Sequence, residues 1–156
     1  MQEWISRLKL CKHDVYLAIK TFTEAIQTID AQQAVGKASR IWIEFAHFYE
    51  EYGELENANV ILHRASQTEF RSVEELAAIY CAWSEMHIRH GNIDSALSIM
   101  KYACSKSGRG RQGKGGSLVN NIRAWSLYLD LLESCGTYDQ TKMAYEKVLE
   151  LRIATP

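Results

Sequence analysis

Apolar residues recur at three- and four-residue steps along most of the chain, which is the spacing of one face of an α-helix. The clearest stripe consists of six residues: Ile41, Trp42, Phe45, Phe48, Tyr49 and Tyr52. Gly53 follows at once, and a glycine at this place predicts a left-handed residue that ends the helix. A second apolar stripe begins at Leu55. Because so short a connection forces neighbouring helices to run antiparallel, this segment is predicted to be a helical hairpin.

The same spacing predicts eight helices in the whole chain, and hence an all-α fold. The predicted helices are 2–11, 14–29, 37–52, 54–67, 72–90, 92–105, 118–135 and 137–152. They form four antiparallel hairpins (2–29, 37–67, 72–105 and 118–152) in a single block, 1–156. The only proline is Pro156, so no helix is interrupted by one. The glycine-rich segment 106–117 is predicted to be a flexible loop between the third and fourth hairpins.

A repeated unit of an aromatic residue and two small residues underlies these hairpins. The small residues are seven apart and follow the aromatic residue by about sixteen positions. The units are Trp4 with Ala18 and Ala25, Trp42 with Ala58 and Ala65, Tyr80 with Ala96 and Ala103, and, more loosely, Trp125 with Thr141 and Val148. The first small residues are spaced by 40, 38 and 45. A period of this length is typical of an α-solenoid, in which each hairpin buries its apolar face against a neighbour.

The residue types suit this architecture. Two helices approach within about 8–10 Å only where the side chains at their crossing are small. The lead aromatic residues, together with Trp83, are expected to fill the space between successive hairpins. The alternative is that alanine and tryptophan simply populate the core of any helical protein.

A second set of positions is expected to face one another across each hairpin. The pairs are Lys12 with Glu24, Glu50 with Arg64, Ile88 with Tyr102, and Glu133 with Lys147. Opposite charges occur in three pairs and both charges vanish in the other, as expected where an unpaired, partly buried charge is costly. These pairs are interpreted as structural.

Two stretches, Trp42–Glu50 and Ala58–Ala65, resemble the half-a-tetratricopeptide (HAT) repeat, which has an aromatic residue before a glutamate in its first helix and Arg-Ala in its second. Here these positions are Tyr49, Glu50, Arg64 and Ala65. Nearly the whole chain outside 106–117 is similar to Syf-type pre-mRNA splicing factors, whose animal members are XPA-binding HAT proteins. The similar stretches are Thr21–Asp30, Phe45–Glu50, Val60–Leu62, Glu85–Gly91 and Leu149–Pro156. In the third repeat, His87 and Ile88 replace the aromatic–glutamate pair, so its packing is expected to differ.

The resemblance implies a nuclear, non-catalytic scaffold that binds other spliceosomal proteins, in the NineTeen-related complex that also joins the intron-binding complex. It also implies a link to transcription-coupled DNA repair. Members of the family are much longer, so the chain is interpreted as an internal block of about four repeats. The resemblance implies no catalytic residue, cofactor, metal or small-molecule substrate. The alternative is a HAT scaffold of another RNA-processing complex, for messenger 3′-end cleavage or ribosomal RNA maturation.

Composition narrows the classes of protein to which the chain can belong. The four cysteines have no paired spacing, which indicates reduced thiols of an intracellular protein. No run of 18 apolar residues and no apolar signal core is present, so no membrane segment is expected. Net charge is −1, but Lys101 to Leu129 contains six basic residues and no acidic one.

Two nucleotide-binding motifs occur in 106–117 and are rejected. Gly108, Gly110 and Gly113 spell GxGxxG, and Gly108 with Gly113 and Lys114 nearly spells a P-loop in which Gly115 replaces the magnesium-binding Ser or Thr. Both motifs require a preceding β-strand to aim backbone N–H groups at phosphate, and the preceding element is a predicted helix.

Clusters of histidine and cysteine are likewise interpreted as packing or surface residues. His87 and His90 are three apart near Cys81 and Glu85, but zinc needs four converging ligands and no HExxH motif occurs. Cys104 lacks a third group that would orient His63 as a base.

Four basic residues of the loop form a candidate RNA contact: Lys106, Arg109, Arg111 and Lys114. The alternative is a solvated insert that makes no RNA contact. Changing all four to serine is expected to weaken RNA binding and to make it less dependent on salt. The slope of log affinity against log salt should fall by about 0.7 for each phosphate of a single strand that these residues neutralise, since neutralisation releases counterions. A salt titration of RNA binding measures both quantities. Unchanged affinity would exclude a basic arm.

Overall fold

A computed structural model describes residues 2–11, 13–31, 33–34, 36–105 and 118–151 of the chain. Within them lie eight α-helices, one 3₁₀ turn at Leu118–Asn120 and no β-strand. The helices are α1 (Gln2–Cys11), α2 (Val15–Thr28), α3 (Ser39–Glu51), α4 (Leu55–Ser66), α5 (Val73–Arg89), α6 (Ile93–Ser105), α7 (Ile122–Cys135) and α8 (Tyr138–Glu150). The predicted all-α class is confirmed. The chain divides into two compact units, Met1–Arg71 and Ser72–Pro156.

In the first unit each helix packs against the next one along the chain, from α1 through α4. Aromatic rings join the two hairpins of this unit. Phe22 of α2 stacks on Phe45 of α3, with ring centroids 4.6 Å apart and planes 6° apart, and it also contacts Phe48 at 5.6 Å. Stacked and tilted aromatic pairs stabilise a core by more than the burial of their apolar area alone would provide.

The second unit has the same serial packing, and α7 contacts both helices of the hairpin before it. Its main core combines Cys81, Met100 and Cys104 of α5 and α6 with Trp125 of α7. Hairpins three and four therefore share one core, because neither buries its apolar face by itself.

The chain enters α7 through a set of specific hydrogen bonds. Asn121 caps the helix by accepting from the N–H of Ala124 at 3.1 Å, and its Nδ2 donates to Glu74 of α5 at 2.7 Å. Trp125 Nε1 donates to the carbonyl of Val119 at 2.6 Å. The bond from Asn121 to Glu74 links the start of the fourth hairpin to the third.

The turn between α3 and α4 explains the glycine at position 53. Gly53 has φ +77° and donates its N–H to Glu50 O at 3.0 Å, while the N–H of Glu54 reaches Tyr49 O at 2.9 Å. This is the Schellman arrangement, in which a left-handed residue lets the last carbonyls of a helix find partners. Gly91, with φ +74°, ends α5 in the same way.

Gly136, at the third such boundary, serves a different purpose. Its backbone is extended, with φ −83°, and a Cβ there would lie 2.7 Å from the carbonyl oxygen of Leu132. Only a residue without a Cβ can approach Leu132 this closely, so the position requires glycine. Thr137 and Gln140 then form a capping box at the start of α8.

Replacing Gly53 by valine is expected to lower the free energy of unfolding by about 1–2 kcal/mol, because a branched side chain disfavours the left-handed conformation. Nothing lies within 4 Å of the added Cβ, so no steric contact contributes to this loss. Gly53→Asn is the matched control and should lose less, since asparagine tolerates this region. Denaturant unfolding measures both variants. Equal losses would contradict the backbone explanation.

Candidate protein-interaction surface

The alanines of the repeat are buried. Six alanines are at most 1% exposed: Ala18, Ala25, Ala58, Ala65, Ala96 and Ala103. At Ala96 the contact is close enough for Ser84 Oγ of α5 to donate to the Ala96 carbonyl of α6 at 3.3 Å. In the looser fourth hairpin, Thr141 Oγ1 donates to Leu132 O of α7 at 3.2 Å.

The lead aromatic residues are buried in three of the four units. Trp42 is 8%, Tyr80 1% and Trp125 4% exposed. Trp4 is half-buried, with the Arg7 guanidinium 5.3 Å from its ring centroid. Trp83 is also half-buried; its ring centroid lies 6.4 Å from that of Tyr80. These positions fit the role of packing residues rather than of an open binding site.

The expected charge pair of the fourth hairpin is wrong. Glu133 accepts a hydrogen bond from the Tyr145 hydroxyl, and Lys147 Nζ lies 3.0 Å from Glu150 Oε2. Since side chains two positions apart on a helix point in directions about 200° apart, Tyr145 and Lys147 cannot both face Glu133.

The residues of the other three predicted pairs have different neighbours in the structure. Glu50 Oε2 lies 3.1 Å from His47 Nδ1 on the same helix. In the third hairpin, Ile88 packs on the core of the second unit, while the half-exposed Tyr102 has its ring 6.2 Å from Tyr80. The pairing of Glu50 with Arg64 stays a prediction, and Lys12 lies outside the described residues.

A cleft of about 130 Å³ opens between α1, α2 and α3 in the first unit. Its apolar lining consists of Ile5, Leu8, Phe22, Ile41 and Phe48. Its polar lining consists of Lys9, Arg40, Glu44, His47 and Glu51. Pockets for drug-sized molecules span about 300–1,000 Å³, so this cleft suits a single apolar side chain better than a small-molecule ligand.

This cleft was absent from the sequence predictions, although a signal for it existed. Arg40, Glu44, His47 and Glu51 recur at three- and four-residue steps on α3, beside the apolar stripe. Their convergence with α1 depends on tertiary packing, which the periodicity of α3 does not contain.

The histidine and cysteine groups show no reactive arrangement among the described residues. All four cysteines are thiols, and burial raises the pKa of Cys81 to about 11 and that of Cys104 to about 12. Burial, followed by the nearby His90, lowers the pKa of His87. In the described part of the chain no three metal-ligating side chains converge. A thiolate nucleophile is therefore disfavoured at both buried cysteines near neutral pH.

Two further sequence predictions concern membrane segments and RNA contacts. The described helices include none whose length and apolar character would let it cross a membrane. The candidate RNA contacts, Lys106, Arg109, Arg111 and Lys114, lie outside the described residues.

Antiparallel hairpins with buried alanines and aromatic packing define a helical-repeat protein. Residues 31–156 match the family model described as pre-mRNA-splicing factor Syf1/CRNKL1 C-terminal HAT repeat. The chain belongs to this family, and the resemblance found in the sequence is confirmed.

Individual relatives agree with the family match. The chain is 38% identical over 162 aligned positions to pre-mRNA-splicing factor SYF1 of Homo sapiens and to the syf1 homolog of Drosophila melanogaster. It is 34% identical to pre-mRNA-splicing factor cwf3 of Schizosaccharomyces pombe over 163 positions. Each match covers 100% of this chain but only 19%, 18% and 21% of the respective relative. The chain therefore spans about a fifth of the length of these splicing factors.

The buried thiols predict a loss of stability in alkali. A thiol has a usual pKa of 9.0, and in the folded chain Cys81 and Cys104 keep their protons to about pH 11 and 12. Above pH 9 the unfolded chain loses these protons first, so the free energy of unfolding falls as pH rises. Denaturant unfolding from pH 8 to 11 should show a smaller fall for Cys81→Ala/Cys104→Ala than for the natural chain. Parallel curves would contradict the assignment.

Proposed function

We propose that this chain is a non-catalytic protein-interaction scaffold of the pre-mRNA splicing machinery. The observation that carries the proposal is the family match over residues 31–156, supported by relatives whose names describe pre-mRNA splicing factors. Serial hairpins suit this role because they display fixed side chains over a long surface.

The cleft between α1, α2 and α3 is the proposed docking point within the first unit. A helix or extended segment of a partner inserts one apolar side chain between Leu8 and Phe48, where a small pocket can hold an anchor residue. Glu44 and Glu51 on one wall, with Lys9 and Arg40, orient the flanking charges of that partner.

The proposed partners and location follow from the resemblance of the sequence to Syf-type splicing factors. Partners are proposed to be other spliceosomal proteins of the NineTeen-related complex that also joins the intron-binding complex, in the nucleus. A link to transcription-coupled repair is part of the same proposal. Nothing in the described geometry requires a cofactor or a small-molecule substrate for this role.

Cross-linking of the tagged chain in nuclear extract, followed by mass spectrometry, tests the proposal. Spliceosomal proteins should be enriched over the tag alone. Enrichment of factors for 3′-end cleavage or ribosomal RNA maturation instead would replace splicing by one of those assemblies. Recovery of none of these proteins would contradict the scaffold function.

The cleft is tested separately with Glu44→Arg/Glu51→Arg, which reverses the charge of one wall. The cross-links to residues of α1 and α3 should fall at least about tenfold, as for loss of charge complementarity worth about 1.4 kcal/mol or more. Glu24→Arg/Glu56→Arg, on exposed positions outside the cleft, makes the same change in net charge and should leave these cross-links intact. Equal effects of the two variants would exclude the cleft as the docking point.

A further inference from the structure

Two exposed acidic residues of α3 lie on either side of a buried aromatic residue at the cleft. Glu44 and Glu51 are exposed, Phe48 between them is 3% exposed, and all three line the cleft. Residues seven apart lie on one face of a helix, about 10 Å apart along its axis, and a residue three or four positions from each shares that face. The wall that α3 contributes is therefore an apolar surface with a negative charge at each end.

The positive charges of the cleft lie elsewhere. Lys9 belongs to α1, which forms another wall, and Arg40 lies one turn before Glu44 on α3. His47, the remaining polar residue of the cleft, has its Nδ1 3.1 Å from Glu50 Oε2 on the same helix. The edge of the cleft along Glu44 and Glu51 is consequently acidic, whereas the edge along α1 is basic.

This distribution of charge favours a protein segment over nucleic acid. Phosphates placed between Glu44 and Glu51 would be repelled by both carboxylates, and like charges facing each other across an interface are costly. The rings of the lining, Phe22 and Phe48, are 4% and 3% exposed, so neither offers an open face on which a base could stack. A protein segment that carries basic residues matches the acidic edge.

The spacing of the two acidic residues favours a helix over an extended segment. Side chains on one face of a strand are about 6.6 or 13 Å apart, and neither value matches the separation of about 10 Å along α3. Side chains seven apart on a helix span this distance on one face. An apolar residue three or four positions from each of them points the same way. A helix can therefore present two charges and one anchor to the cleft together.

We propose that the occupant of the cleft is an amphipathic helix of another protein, with two basic residues seven apart and one apolar residue midway between them. The basic residues lie against Glu44 and Glu51, and the apolar residue packs on Leu8 and Phe48. An acidic residue on the other edge of the helix faces Lys9. This inference rests on the proposed function, in which the cleft is a docking point, and it specifies the chemistry of the partner.

Stapled helical peptides test this chemistry on the 156-residue chain. The Lys peptide has the pattern Lys-x-x-x-Leu-x-x-Lys in a background of alanine and glutamine, with the staple on its far face. The Glu peptide carries glutamate at both lysine positions, and the spacing control carries its lysines five apart. Binding is measured by NMR, from the shifts of the backbone amides of α1 and α3 during titration.

The Lys peptide should shift these amides and bind at least about tenfold more tightly than the Glu peptide, because it exchanges two repulsions for two attractions. The spacing control should bind about threefold or more weakly than the Lys peptide, since it reaches one carboxylate only. In Glu44→Arg/Glu51→Arg the preference should reverse in favour of the Glu peptide. Glu24→Arg/Glu56→Arg makes the same change in net charge outside the cleft and should keep the preference for the Lys peptide.

Absence of shifts with the Lys peptide, or equal affinity of the Lys and Glu peptides, would overturn the inference, and this comparison needs no variant of the chain. Either result would leave the scaffold function in place, because that function is judged by the proteins cross-linked to the chain. Shifts of α1 and α3 that grow with the concentration of the chain alone would assign the cleft to a second copy. The same shifts on addition of oligouridine would assign it to nucleic acid.

Discussion

Close approach of two antiparallel helices at alanine is the contact on which the first three hairpins depend. With only a methyl group at Ala96, Ser84 reaches the backbone carbonyl of the opposite helix at 3.3 Å. A larger side chain at this crossing would push the helices apart or strain their rotamers, at a cost of about 1–3 kcal/mol. Because the hairpin is narrow there, its large apolar residues are displaced to the sides, where a neighbouring hairpin can cover them.

These large apolar residues pack each hairpin against its neighbour within a unit. Phe22 on Phe45 joins the hairpins of the first unit, and Met100 with Trp125 joins those of the second. Folding of each hairpin and stacking on its neighbour thus use the same kind of apolar surface, which is a property of repeat architecture.

The thiols and the charged residues lie in different environments. The titratable thiols of Cys81 and Cys104 are buried with raised pKa values, while the charged residues Glu44 and Glu51 line an open cleft. A cleft of about 130 Å³ has room for one anchor side chain of a partner. In the proposed function this cleft is one small docking site, and the role does not require a large pocket.

Helix positions and the repeat register were readable from the sequence because they rest on local physics. A period of 3.6 residues, glycine at a left-handed cap and alanine at a crossing are each determined by a few neighbouring residues, as Gly53 and Ala58 illustrate. The family was readable for the same reason, since its motif lies within single hairpins.

Side-chain partners and clefts were decided by the tertiary structure. Lys147 pairs with Glu150 rather than with Glu133 because the rotation of α8 about its axis brings Tyr145 to that carboxylate. The cleft exists only where α1, α2 and α3 converge, and Gly136 is needed only because the chain passes close to Leu132. A one-dimensional pattern determines which face of a helix is apolar, whereas the rotation and distance between helices arise from packing the whole set of side chains together.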